Sequence, residues 1–359
     1  MKTYTFDIET YINYTLFALR DVDNHDDLIT FEVKGDEVFS NKKAKKLRKI
    51  LVKHTIVTYN GLKFDEPVTA YALQGKTPYQ IFQSVQAIIV QQLPVWQFYG
   101  KIKEKKFITH HIDLMDVARG SASLKLYGAR LGTKKLQDLP YAPETELSKK
   151  QMKVVKKYCE NDLILTEELF RYLETDLSLR ESMGKQYDMN FMSFKGAKIA
   201  EMILVAETGY KGKAPERPAH VKYTPPKYVK FKTPELKAIF KQFDGLKIEI
   251  AETGNPVMPE FLKEDVIFDG MNYKLGLGGV HMAVSSTTIK PKKKKGELIV
   301  DIDYSALYPS LIIENGYVPK HIGEKYLKTY GNMYYSRREK KLRMYQIKKE
   351  ISELEKIKH

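Results

Sequence analysis

Short β-type runs alternate with helical patterns along the first half of the chain, and that alternation limits the fold more than any other feature. Tyr4 and Phe6 alternate with Thr5, and the run ends at "DIET". "LITFEV" (28–33) is its expected hairpin partner. "AKKLRKILVKH" reads as a short amphipathic helix, and "TIVTYN" as a buried-type strand ending at Asn60-Gly61. Pro67 suits the first turn of a helix. "FITHHIDLMDVA" reads as a further strand and loop. Ser148 and Gln151 are spaced as a capping box for a long helix, with Val155, Cys159, Asp162, Thr166, Leu169 and Leu173 at alternating steps of four and three. Strands and helices in this order predict an α/β domain through about residue 175.

The remainder is organised differently. Residues 211–235 are rich in Pro and Lys and read as a connecting segment. "YKLGLGGVHMAV" and "GELIVDIDYS" read as two strands around the basic turn "KPKKKKG". From about Asn332 to His359 the chain reads as a charged helix with an apolar stripe, Met344, Ile347, Ile351 and Leu354, that suits one partner helix. No internal repeat is present.

Composition narrows the function. With 359 residues, 43% hydrophobic and 29% charged, the chain can bury two or three cores. No apolar run is long enough to span a bilayer, and "MKTYTFDIET" is not a signal peptide. The one cysteine, Cys159, forms no intramolecular disulfide and cannot build a cysteine-based zinc site. A reducing, cytoplasmic location is the expectation. The formal charge of +15 points to a polyanion partner, most often nucleic acid, with plain solubility as the alternative.

Three acidic stations stand out. Asp7 and Glu9 lie two apart on a strand, hence on one face, and a D-x-E strand end is a metal shelf or a solvated terminus. "TYNGLKFDEP" adds Asn60 and Asp65, with Phe64 placed to pin the loop; the alternative makes Asp65 an N-cap. "YCENDLILTEEL" sets Tyr158 and Asp162 at i and i+4, neighbours on a helix face, where the alternative is a half-buried tyrosine and a surface acid.

D-x-E, N-x-x-x-F-D and Y-x-x-x-D in this order resemble the three exonuclease motifs of family B DNA polymerases and other DnaQ-like proofreading domains. "SLKLYGARLGTKKLQDLP" resembles the same family as it appears in phage. The resemblance implies an RNase H-like domain that hydrolyses phosphodiesters with two Mg²⁺ or Mn²⁺ ions about 4 Å apart. It implies that Asp7, Glu9 and Asp162 hold one ion, that Asp7 reaches the other with Asp65 assisting, that Tyr158 orients the attacking water, and that Asn60 and Phe64 serve the DNA. Asp113 is a further acid nearby, expected as a solvated strand end.

"DYSALYPSLI" (303–312) resembles motif A of the same polymerases, with Ala306 where serine is usual. The likeness makes Asp303 the palm carboxylate for two further Mg²⁺ ions, with Asp301 ranked second. It sets Ser305, Ala306 and Leu307 against the phosphates of a dNTP and Tyr308 beneath its sugar. "YKLGLGGVH" resembles a phosphate-contacting glycine motif, with Gly276, Gly278 and Gly279 free to approach a phosphate chain; the alternative is a turn or bulge. The implied layout is an exonuclease domain over 1–180, a connecting polymerase region over 181–270, a partial palm over 271–325 and a first fingers helix over 326–359. Neither the Asn-Ser-x-Tyr-Gly-like fingers segment nor the Asp-Thr-Asp-like turn occurs here. Synthesis on a primer-template therefore calls for a C-terminal polymerase subunit. A stand-alone exonuclease acting at a single-stranded 3′ end, or a non-catalytic DNA-binding remnant, are the rival readings.

Overall fold

Strand β1 (Thr3–Tyr11) sets the architecture. Its side chains alternate: Tyr4, Phe6 and Ile8 enter the main apolar core, while Asp7, Glu9 and Tyr11 take the opposite face. The computed structural model spans residues 1–359. It describes all but 121, 214, 226, 269–270, 277–278, 284–287, 289, 293–294 and 359, and of 268, 271, 279–283 and 357–358 the backbone alone.

β1 turns directly into antiparallel β2 (Tyr14–Asp21), with Asp7 opposite Ala18 and Glu9 opposite Leu16. β3 (Leu28–Lys34) pairs with β2, so "LITFEV" is not the partner of the first strand. The intervening strand escapes a periodicity search because all eight of its residues are buried, leaving no polar alternation. After helix α1 (Asn41–Lys53), β4 (Thr55–Thr58) runs parallel to β1. Helices α2 (Asp65–Ala72), α3 (Pro78–Ile89) and α4 (Val95–Ile102) follow, and then β5 (His110–Asp113) runs parallel to β4. The result is one mixed sheet of order β3-β2-β1-β4-β5.

Helices cover both faces. On one, Ala44, Leu47 and Leu51 of α1 and Ile81 and Val85 of α3 pack on Phe6, Phe17 and Phe31. On the other, past α5 (Leu114–Val117) and α6 (Leu124–Leu131), lies α7 (Lys149–Tyr172). Its N-terminus is closed by the Ser148–Gln151 capping box as the spacing predicts. Val155, Cys159 and Leu163 of α7 pack on Tyr11, Tyr14, Leu16 and Ala18. The Asn13 side chain ties the β1–β2 turn to the start of α7, donating to the Leu147 carbonyl (3.0 Å) and accepting from its amide (2.9 Å). Helices α8 (Glu174–Tyr187) and α9 (Gly196–Thr208) follow; Leu177, Ile199 and Ile203 are buried. The chain divides into two compact units, Met1–Glu207 and Thr208–His359.

In the second unit, β6 (His220–Lys222) pairs with β7 (Lys247–Glu249), and α10 (Pro234–Gln242) lies between them in sequence. An antiparallel sheet follows, of order β10-β9-β8, from β8 (Val266–Phe268), β9 (Met271–Gly276) and β10 (Gly279–Ala283). "YKLGLGGVHMAV" is therefore two strands of a hairpin. "GELIVDIDYS" forms no strand: Leu298 is 84% and Ile302 87% exposed, and no described residue pairs with this run. A β-type run becomes a strand only where a neighbour takes its backbone bonds. α11 (Leu307–Glu314) and α12 (Glu324–Lys358) complete the unit. The final helix starts ahead of the expected Asn332, and Met344, Ile347, Ile351 and Leu354 on it are exposed. Among the described residues no helix is long and apolar enough to cross a membrane.

Asn13→Ala removes both bonds to Leu147 and should cost about 1–3 kcal/mol. Urea unfolding should show a lower midpoint with an unchanged slope. An unaltered midpoint would mean that the bonds do not hold the turn to α7.

Candidate active site

Asp7, Glu9, Asp65 and Asp162 come from three separate segments and meet on the α7 face of the sheet. Period two points Asp7 and Glu9 at α7. Helical spacing presents Tyr158 and Asp162 from α7 toward them, and Asp65 is the first residue of α2. The Cys159 thiol donates to Asp7 Oδ2 at 3.6 Å. One ligand atom each from Asp7, Glu9 and Cys159 lie within 4.8 Å of one another.

The electrostatics report the same gathering. Burial, and then the Asp162 carboxylate, push Asp7 up from 3.8 to about 7. Glu9 is driven well above its ordinary range by burial and by Asp7, Asp162 and Asp65 in turn. Burial, Asp7 and Asp113 do the same to Asp65. Burial also raises Asp162, against the Tyr158 hydroxyl and the Lys125 ammonium, which pull it down. Tyr158 itself is raised by burial and by Asp162. One oxygen each on Asp65 and Asp162 is buried without a hydrogen-bond partner. A cluster of this kind favours protons or a cation among its oxygens.

Asp65 is not an N-cap. Phe64 holds that position, and Asp65 is 2% exposed, inside the site. Phe64 packs on the main core and pins the loop. Asp162 is partly buried rather than a surface acid, and Tyr158 is buried rather than half-buried.

The loop carrying Asn60 and Asp65 is held from β5 by two buried polar clamps. Asp113 accepts from the amides of Asn60 (2.8 Å), Leu62 (3.0 Å) and Met115 (3.1 Å). It is buried, not a solvated strand end, because its oxygens are consumed by the loop. Glu66 accepts from the amides of Phe107 and Ile108 and from His111 Nδ1 (3.2 Å), and His111 Nε2 is hydrogen-bonded to the Thr58 hydroxyl at 2.8 Å. Burial opposes the charge of Glu66, yet His111 and the two amides hold its carboxyl below the ordinary range. Gly61 is required at the turn: a Cβ there would lie 2.2 Å from Thr58 Oγ1. Asn60 takes the left-handed conformation beside it, with φ 67°.

Two participants, Lys125 and Glu66, carry no role in the sequence reading. Lys125 of α6 stands 5.4 Å from the centre of the Tyr158 ring and draws Glu9 and Asp162 down. Glu66 adjoins Asp65, and that adjacency is its one signal in the sequence; Cys159, expected only as a stripe residue and a lone thiol, proves to touch Asp7.

Among the described residues of the second unit, no buried acid cluster surrounds its candidates. Asp301 and Asp303 are exposed, as are Leu307 and Tyr308. Ala306 precedes α11 in the left-handed conformation. Asp303, Ser305 and Ala306 line a cavity of about 280 Å³ whose other wall is Tyr334, Arg337, Arg338 and Lys341 of α12. Ser310 and Tyr334 are hydrogen-bonded at 2.9 Å, joining α11 to α12. Gly276 and Gly279 face each other across the mouth of the β9–β10 hairpin, and Gly278 lies outside the described residues.

No family model, curated protein or solved structure matches this chain.

Asp7 binds its proton more tightly folded (about 7) than at its ordinary 3.8. Its contribution favours the folded state below about pH 4 and is lost as pH rises through 7. In EDTA, Asp7→Asn should therefore melt higher than wild type at pH 8, with the gap closing toward pH 4. Mn²⁺ should raise the wild-type melting temperature and leave the variant nearly unmoved. A pH-independent gap would show that Asp7 is not repelled by its neighbours.

Proposed function

We propose that the first unit is a 3′→5′ exonuclease of RNase H-like type, acting at single-stranded DNA ends, within the N-terminal part of a family B DNA polymerase. The observation that carries this reading is the convergence of Asp7, Glu9, Asp65 and Asp162 on one buried cluster whose carboxyls are driven toward protonation. Hard oxygen donors suit Mg²⁺ or Mn²⁺, held by these four residues. Bound there, the ions would lower the pKa of water and neutralise charge on the phosphate.

The chain's own groups supply the rest. Tyr158, buried next to Asp162, orients the attacking water with its hydroxyl. Lys125, whose ammonium lies over the Tyr158 ring, offers a positive charge to a bound phosphate. Asn60, on a loop fixed by Asp113, contacts the primer strand. A mixed sheet with Asp7 and Glu9 on its central strand, and a surplus of +15, support the RNase H-like fold and the DNA partner.

The basic wall opposite Asp303 supports a role for the second unit in nucleotide binding, with amides at the start of α11 meeting phosphates. In this reading Asp303 supplies one carboxylate of a nucleotidyl-transfer site, and a C-terminal polymerase subunit supplies the other with the triphosphate grip.

The purified chain should shorten single-stranded DNA from its 3′ end in Mg²⁺ or Mn²⁺ and stop in EDTA. Asp7→Ala should lower the rate by on the order of 10³ or more. DNA binding should persist in that variant and weaken steeply with salt. Unchanged degradation by Asp7→Ala would refute the site. DNA binding without degradation by wild type would favour a DNA-binding remnant.

Primer extension should appear only with a C-terminal polymerase subunit and vanish in Asp303→Asn, whose exonuclease activity persists. Extension by the lone chain would overturn the half-site reading.

A further inference from the structure

Cys159 gives the acid cluster a donor that a site for Mg²⁺ does not need. It is the chain's one cysteine, wholly buried, with its sulfur 3.6 Å from Asp7 Oδ2. Zinc binds thiolate sulfur at about 2.3 Å and carboxylate oxygen at about 2.0–2.2 Å, so a tetrahedral angle between them separates the two donors by about 3.6 Å. Glu9 completes a set of three donors within 4.8 Å of one another. A separate observation points to a cation here. Asp65 is 2% exposed, one of its oxygens has no partner, and its charge bears on Glu9 just as that of Asp7 bears on it. Asp7 keeps partial exposure, so the corner opens to solvent.

We propose that Asp7, Glu9 and Cys159 take a thiophilic divalent cation, zinc or cadmium, which displaces the hard ion from this corner of the site. The metal–sulfur bond replaces the S–H bond, and the thiol proton leaves to solvent; nothing is oxidised or reduced. Mg²⁺ and Mn²⁺ use the carboxylates and leave sulfur alone, whereas zinc and cadmium favour thiolate. The sequence expectation that one cysteine rules out a cysteine-based zinc site holds for sites of several thiols and is overturned here by the carboxylates gathered beside Cys159. The inference rests on the cluster being a cation site and adds a ligand class to it.

The test is a cadmium titration of metal-stripped full-length protein, followed by ultraviolet absorption and calorimetry. A thiolate-to-cadmium charge-transfer band should saturate at one equivalent, and with a single cysteine it can arise only at Cys159. Cys159→Ser should abolish the band and weaken cadmium binding at least about tenfold, with manganese affinity held within about twofold. Cadmium binding to wild type without the band would overturn the proposal. So would cadmium binding by Cys159→Ser as tight as wild type. If that variant does not fold, the wild-type band alone decides. A band without DNA degradation in Mn²⁺ would sink the exonuclease reading and leave this one standing; degradation without a band would do the reverse.

Discussion

The repulsion among Asp7, Glu9, Asp65 and Asp162 converges on the central strand of the sheet, which carries the first two, and the first unit is built to hold those charges against it. Six alternating positions on β1 divide the work. Tyr4, Phe6 and Ile8 anchor the strand in the larger core. Thr5, Asp7 and Glu9 give the opposite face its chemistry, and α7 closes over them. Apolar burial on one side of a single strand thus offsets the desolvation of acids on the other.

Rigidity on the α2 side comes from polar groups whose hydrogen bonds are made outside the cluster. Asp113 spends its carboxylate on three amides, and Glu66 spends its own on two amides and a histidine. Both are anchored through β5. Asp65, adjacent to Glu66, is left with an unpartnered oxygen. Fixing a loop with saturated acids while sparing the neighbouring one is how a chain keeps a donor available to a ligand.

Local signals in the sequence carried much of this. The D-x-E spacing put Asp7 and Glu9 on one face, the i, i+4 spacing joined Tyr158 to Asp162, and the capping box marked the start of α7. What stayed hidden depends on distant partners. β2 is buried throughout and shows no alternation. Asp113 has the look of a solvated strand end until the amides of Asn60 and Leu62 arrive from another loop. The run 298–303 has strand composition and, among the described residues, no strand to pair with. Composition records what a segment can do; pairing decides what it does.

The Asn13–Leu147 bridge spans 134 residues and the Cys159–Asp7 contact 152. Such long loops close at a high entropic cost, after the β1–β2–β3 meander and the local helices can form. Contact order favours a folding order in which the acids come together late, on the native side of the barrier. Their repulsion then acts on the rate at which the folded chain opens and hardly on the rate at which it forms. A bound cation would act as a kinetic latch: it would lengthen the lifetime of the native state without speeding its arrival.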